Sequence, residues 1–249
     1  MHNPAEEQTA TFWEHLDELR SCIIRSIIVV VIAAIAAFCM KDALFAVVLA
    51  PRSSDFVTYQ LIGGDKFMVQ LMNIGLTEQF MTHMRVALYA GLLIASPYVL
   101  YQLFGFIAPG LYQQERKAAV WIGVSAYLMF IFGTLVDYFL IFPLTVRFLG
   151  TYQVSTDVAN MLTLQSYIDT LIGMSFIMGV VFELPVVCAI LGRIGIINRQ
   201  LMRSFRRHAI VAILVASAII TPTTDAFTLL IVALPIWLLY EVSILLVKN

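Results

Sequence analysis

The sequence predicts an all-α membrane protein with six transmembrane helices, curved by prolines into a concave arrangement, helices five and six short, and both termini cytoplasmic. Three observations point there. Of 249 residues, 61% are hydrophobic and only 12% charged, about half the charged share of a soluble domain. The apolar residues gather into runs approaching the roughly 20 residues that cross a bilayer. The basic residues fall unevenly on the two sides that those runs define. A water-soluble enzyme does not fit this composition. A net charge of −1 with no block of like charges offers nucleic acid nothing to hold. Partners are therefore expected in or at the lipid bilayer, and the whole chain, 1–249, reads as one polytopic domain.

The segment 1–21 is polar, with Glu6, Glu7, Glu14, Asp17 and Glu18 ahead of the first apolar run. It lacks the basic, short-cored pattern of a cleavable secretory signal and is expected to stay as a cytoplasmic segment. Spans follow at about 22–40, 86–107, 119–142, 168–191, 209–220 and 226–247. The fifth is short, and Thr221-Pro222-Thr223-Thr224-Asp225 interrupts the apolar stretch after it, which predicts a short helical hairpin. Short spans are accommodated by bilayer thinning or association.

Orientation follows from the cations. Arg20, Arg25, Arg116, Lys117, Arg193, Arg199, Arg203, Arg206, Arg207 and Lys248 fall on the N-terminal side. Lys41, Arg52, Lys66, Arg85 and Arg147 fall on the other. Basic residues are retained in short cytoplasmic loops, so both ends are placed inside.

The first external loop, 41–85, is too long for a plain connector. Phe56 to Ile62 and Phe67 to Leu71, about Gly63-Gly64-Asp65, read as two short strands and a turn. Thr77-Glu78 reads as a helix start, so the second helix begins outside the membrane and runs about 30 residues, roughly 45 Å. Pro97, Pro185 and Pro235 lie inside spans and each removes one backbone hydrogen bond, bending its helix. Cys22, Cys39 and Cys188 form an odd set without C-x-x-C spacing and read as small hydrophobes, not as disulfide or metal ligands.

An ionisable group in a span costs roughly 2.5–3.5 kcal/mol on the lenient insertion scale, so each asks for a reason. Asp137 and Asp169 lie near outer span ends, where reaching the interface accounts for them. Glu241 is seven residues from Lys248 and can lean toward the inner headgroups. Glu183 stands ten residues before Arg193, about 15 Å inside the cytoplasmic edge. Pro185, two positions on, frees the carbonyl of Val181. A polar partner for Glu183, from this chain or another helix, is expected.

The cytoplasmic side also carries His15-Leu16-Asp17-Glu18-Leu19-Arg20 before the first span and Leu111-Tyr112-Gln113-Gln114-Glu115-Arg116-Lys117 between spans two and three. Carboxylates on a basic face suit a cationic ligand. His15 to Arg20 resembles the H-L-x-E-L-R signature of TatC, the polytopic subunit of the twin-arginine protein translocase. Phe106-Ile107-Ala108-Pro109-Gly110-Leu111-Tyr112, followed by Glu115-Arg116, resembles that family's first cytoplasmic loop. Val154-Ser155-Thr156-Asp157, Phe182-Glu183-Leu184-Pro185 and Thr221-Pro222 are similar to further family patterns, in order along nearly the whole chain.

The resemblance implies a receptor for folded secretory precursors with paired-arginine signal peptides. It also implies a multimeric complex with single-span partners of the TatA and TatB type in a bacterial inner membrane, using the proton-motive force. It implies no enzyme activity. By the same resemblance Glu18, Arg20, Phe106 and Glu115 belong to the signal-recognition face. Glu183, Thr221 and Pro222 belong to the site that engages partner helices, and Pro51 and Pro185 are structural. The physical reading agrees, because a carboxylate accepts a guanidinium fork bidentately and an ammonium cannot supply that geometry. Phe106 adds an apolar or cation–π surface.

Two places depart from the family pattern. Ser21-Cys22 follows Arg20 where many members carry another base, and Asp225 aligns with the familiar Thr-Pro-Pro-Asp only after a one-residue shift. Two rival functions fit the residues less well. An intramembrane serine protease built on Ser125 and His208 lacks the final glycine of the usual motif and a base within reach. A proton- or ion-coupled transporter using Asp137, Glu183 and Glu241 would need carboxylates that face one another. No phosphate-binding glycine loop is present, so ATP is not expected as a cofactor.

Overall fold

The computed structural model of the chain describes residues 4–63, 66–111, 116–152, 161–221 and 225–247. It divides into two compact units, Met1–Cys39 with Ala87–Tyr127, and Met40–Val86 with Leu128–Asn249. Among the described residues, five helical stretches are long and apolar enough to cross a membrane: Leu16–Cys39, Glu78–Leu103, Ile122–Thr151, Leu164–Arg193 and Ala226–Leu246.

The first unit starts with α1 (Pro4–Cys39), a single 36-residue helix. The polar segment before the first span is therefore helical and continuous with it. Nothing between Pro4 and Cys39 breaks a helix, and a proline at the first helical position loses no intrahelical bond. The unit also holds the second part of α4 (Glu78–Leu111) and the first part of α5 (Arg116–Val136). Ala87, Gly91 and Ala95 recur every fourth residue on α4, and Gly91 lies against Ala34 of α1. A β-carbon on Gly91 would stand 2.5 Å from the backbone nitrogen of Ala34. Close backbone approach through small residues is the usual membrane substitute for a hydrophobic driving force.

In the second unit α2 (Lys41–Val48) and a 3-10 turn at Ala50–Arg52 lead to α3 (Val57–Ile62). The segment 56–62 was expected as a strand and is a helix. Val57 and Leu61 share one face while Thr58 and Tyr59 turn inward, and an isolated hairpin has little stability of its own. Gly63, at φ +73°, ends the helix in a conformation open to glycine. The pairing among the described residues is an antiparallel bridge between Ser53 and Met68 and two short parallel strands, β1 (Leu71–Met72) and β2 (Leu162–Thr163).

The third apolar run does not stop near residue 142. A π-helical turn at Asp137–Ile141 links α5 to α6 (Phe142–Thr151) without a break. Pro143 has no N–H to offer the carbonyl of Phe139, and the Thr58 hydroxyl of α3 donates to that carbonyl instead. Tyr59 completes the clamp, its hydroxyl lying 2.9 Å from the carbonyl oxygen of Pro51 and 2.8 Å from that of Pro143. The Tyr138 and Tyr167 hydroxyls donate to the carbonyls of Val47 and Val48 at 2.7 and 3.1 Å. Burial pushes the Tyr59 phenol above its ordinary value, against a smaller opposing pull from Arg147. A raised phenol contributes stability that is whole at neutral pH and is lost only as strong alkali ionises it. Tyr59→Phe is expected to lower stability by about 1–3 kcal/mol, since buried carbonyls lose their donor. Thermal unfolding in detergent measures it, and an unchanged midpoint would show that the clamp carries no load.

The fourth run is split into α7 (Leu164–Val181) and α8 (Leu184–Arg193). After α9 (Arg199–Ser204) come α10 (Arg206–Ile220) and α11 (Ala226–Leu246). Helix α10 has 15 residues, about 22 Å and less than the hydrocarbon core. Helix caps start three of these elements: Thr163, Asn198 and Asp225 accept the N–H of Ser166, Leu201 and Thr228. Pro235 sits inside α11, which continues through it. Ile141, Met174, Met178, Phe182, Ile213 and Val232 belong to the main core, drawn from the π turn, α7, α10 and α11. Glycines tighten it: β-carbons on Gly133 and Gly179 would stand 2.6 Å from the Met178 carbonyl oxygen and 2.7 Å from the Phe130 ring.

Candidate functional site

Of the four residues assigned to the recognition face, three lie on described helices of the first unit. Glu18 and Arg20 are exposed on α1, and Phe106 is half-buried on α4. Two positions along a helix are about 200° apart, so Glu18 and Arg20 serve different faces of α1. Glu115 lies outside the described residues, in the link between α4 and α5. The motif Val154 to Asp157 and Pro222 also lie outside them.

The second candidate site forms at the break between α7 and α8. Phe182 and Glu183 keep near-helical backbone angles, but α7 ends at Val181 because Pro185, buried at the start of α8, cannot donate to its carbonyl. The Glu183 carbonyl still accepts from the Val187 N–H at 2.9 Å. Its side chain is different. Both carboxylate oxygens are shielded from solvent and have no hydrogen-bond partner among the described residues. Phe182 fixes the chain beside it by packing edge-on to Phe132, with centroids 5.6 Å apart. Unpaired carboxylate oxygens out of water are costly, which sets Glu183 apart from the other acids of the described spans.

Thr221 ends α10, is buried, and has a hydroxyl oxygen likewise without a partner among the described residues. Glu183 and Thr221 are not hydrogen-bonded to each other. Pro51 is buried in the 3-10 turn, with its carbonyl facing the Tyr59 hydroxyl, which accounts for a structural role.

The other intramembrane acids are engaged separately. Asp137 was expected to reach the interface and is instead fully buried, 2.5 Å from the Ser175 hydroxyl of α7. Position along the sequence conveys depth but not facing, and a π turn inserts a residue that shifts the face presented. Asp169 pairs with Arg85, whose Nη1 lies 2.5 and 2.7 Å from the two carboxylate oxygens, on exposed surface. Glu241 pairs with Arg206 at 2.5 Å, joining α11 to the start of α10. Asp137, Glu183 and Glu241 thus have distinct surroundings and do not form a facing chain of the kind that an ion-coupled pathway uses.

Sequence reasoning took Glu78 only as a first-turn acid. Its carboxylate accepts the N–H groups of Ile74 and Gly75 at 3.0 and 2.9 Å and of Gln165 at 3.0 Å, tying the start of α4 to the start of α7. An isolated glutamate after a turn carries no signal for a partner 87 residues away.

Comparisons with known proteins identify the family. The family model described as Sec-independent protein translocase protein (TatC) matches residues 14–235. A Sec-independent protein translocase protein TatC from Deinococcus radiodurans is 36% identical over 98% of this chain and 87% of its own. The one from Carboxydothermus hydrogenoformans is 33% identical over 98% and 95%. A crystal structure titled Twin Arginine Translocase Receptor- TatC superposes with a TM-score of 0.76 at 34% identity, covering 93% of this chain and 97% of that one. A second, in DDM, gives 0.79 at 33%, covering 94% and 100%. With fold, length and sequence agreeing across both kinds of relative, the chain belongs to the TatC family of Sec-independent protein translocase proteins.

Proposed function

We propose that this chain is the signal-peptide receptor and core subunit of a twin-arginine translocase. In this reading the chain has six spans with both ends cytoplasmic, and Glu18 and Glu115 face the side where precursors arrive. The observation that carries the reading is the exposed carboxylate of Glu18 on α1, within the H-L-x-E-L-R match and among cations of the same side. Glu18 and Glu115 accept the two guanidinium groups of the signal, and Phe106 packs beside them. The detergent-purified protein is expected to bind a paired-arginine peptide well above its paired-lysine counterpart, measured by fluorescence anisotropy. Equal binding of the two peptides would remove the proposal's basis.

Glu183 takes the second role. A single-span partner of the TatA or TatB type supplies the hydrogen-bond donor that the carboxylate does not find among the described residues, in a multimeric complex of a bacterial inner membrane. The proton-motive force drives export in this reading. Glu183→Leu is expected to lose co-purification of such a partner, whereas Glu183→Gln, which still offers an acceptor, keeps most of it. Co-purification undiminished in Glu183→Leu counts against the assignment.

A further inference from the structure

The exposed apolar face of α3 has no counterpart in the recognition and partner sites. Val57, Leu61 and Ile62 are 56%, 83% and 53% exposed, although the same short helix buries Thr58 and Tyr59. Water around three large aliphatic groups on one six-residue helix is unfavourable.

Two observations say what covers them. The first is depth. Ser175 lies 18 residues before Arg193, which closes α8. At the rise of a helix that is about 27 Å, close to the thickness of the hydrocarbon core. Asp137 bonds to Ser175, and the chain then continues outward through Phe139 and Pro143. These are the residues whose carbonyls receive Thr58 and Tyr59. Helix α3 is thereby held at the membrane boundary opposite Arg193, not out in the aqueous phase.

The second is continuity. Leu128, Phe132, Leu135 and Phe139 are exposed at helical spacing along α5 and the π turn, forming a stripe directed at lipid. Phe56, at the start of α3, stacks on Phe139 with centroids 5.8 Å apart and planes 13° apart. The face of α3 begins where that stripe ends.

We propose that α3 is an interfacial membrane foot whose Val57, Leu61 and Ile62 insert between the lipids of the leaflet opposite Arg193, seating the first external loop on the bilayer. The inserted face is short and apolar, and the tyrosine and threonine clamp ties it to the chain at Phe139 and Pro143. This is the arrangement of a helix lying in the interface plane, here held by tertiary contacts instead of by length.

Spin labels test it on the full chain, with Cys22, Cys39 and Cys188 replaced by alanine, in vesicles of phosphatidylethanolamine and phosphatidylglycerol. Labels are placed singly at Val57, Leu61, Lys66 and Leu234, all exposed, so that none disturbs packing. Leu234 on α11 is the lipid reference and Lys66 the loop reference. The ratio of oxygen to water-soluble nickel accessibility at Val57 and Leu61 is expected to be several-fold above that at Lys66 and to approach that at Leu234. A ratio equal to that at Lys66 overturns the proposal by placing α3 in water. Labels immobilised and shielded from both reagents overturn it too, because protein then covers the face.

Discussion

Glu115→Ala is expected to weaken binding of a paired-arginine signal peptide by about 10- to 100-fold, while leaving binding of a paired-lysine peptide nearly unchanged. A hydrogen bond to a charged group contributes about 1.5–3 kcal/mol, and each 1.4 kcal/mol is a factor of ten. Loss of one bidentate acceptor therefore removes at least one power of ten. The specificity arm follows from geometry. A guanidinium presents two parallel N–H groups to a carboxylate, whereas an ammonium is a point charge that makes one such contact at a time. Glu115→Gln is expected to fall between wild type and alanine, since an amide oxygen accepts but carries no charge. Titration of labelled peptides against the detergent-purified protein separates these cases. Equal affinity of wild type and Glu115→Ala for the arginine peptide would falsify the assignment and leave Glu18 as the acidic group to test.

Gly91→Val is expected to be the most damaging single change in the first unit, costing about 1–3 kcal/mol or more. Its β-carbon would stand 2.5, 2.6 and 2.7 Å from the nitrogen, α-carbon and β-carbon of Ala34. Two of those three atoms are backbone, so the clash cannot be relieved by turning a side chain and α1 must move off α4. Glu18 rides on α1 and Phe106 on α4, so peptide affinity should fall together with the thermal midpoint. Gly173→Ala is the control. Beyond its own turn of helix, nothing lies within 4 Å of a β-carbon at Gly173, and replacing glycine by alanine inside a helix is neutral or favourable by up to about 1 kcal/mol. If both variants unfold at the same temperature, the close approach of α1 and α4 is not what holds the first unit together.

Much of the helical plan was legible because the relevant signals are local. A run of apolar residues reports burial in lipid whatever it packs against, and Glu78 marked the start of α4 from its place after a turn. The break at Glu183 was legible for the same reason: Pro185 removes a donor irrespective of tertiary context, and α7 stops where that loss predicts. The family motifs were legible as strings, including those at Glu115 and Pro222 that fall outside the described residues. The segment 56–62 misled because Val-Thr-Tyr-Gln-Leu satisfies a two-residue alternation and an i, i+4 pattern at once. Only its docking partners, the carbonyls of Phe139 and Pro143, choose between them.

The depth of each carboxylate is a property of the chain, because rise per residue is constant and the basic edge can be read from the letters. That much placed Glu183 near mid-membrane and Asp137 near the outer end. Which way each carboxylate faces is a property of the packed molecule. Asp137 turns to Ser175, 38 residues later, Glu241 finds Arg206, 35 residues earlier, and Asp169 finds Arg85, 84 residues earlier. Glu183 finds no donor among the described residues. Composition and periodicity are sums over neighbours in sequence and so suffice for membrane, helix and break. Pairing of polar groups in a low-dielectric interior depends on separations of a few ångströms between distant segments, and those arise only when the helices pack.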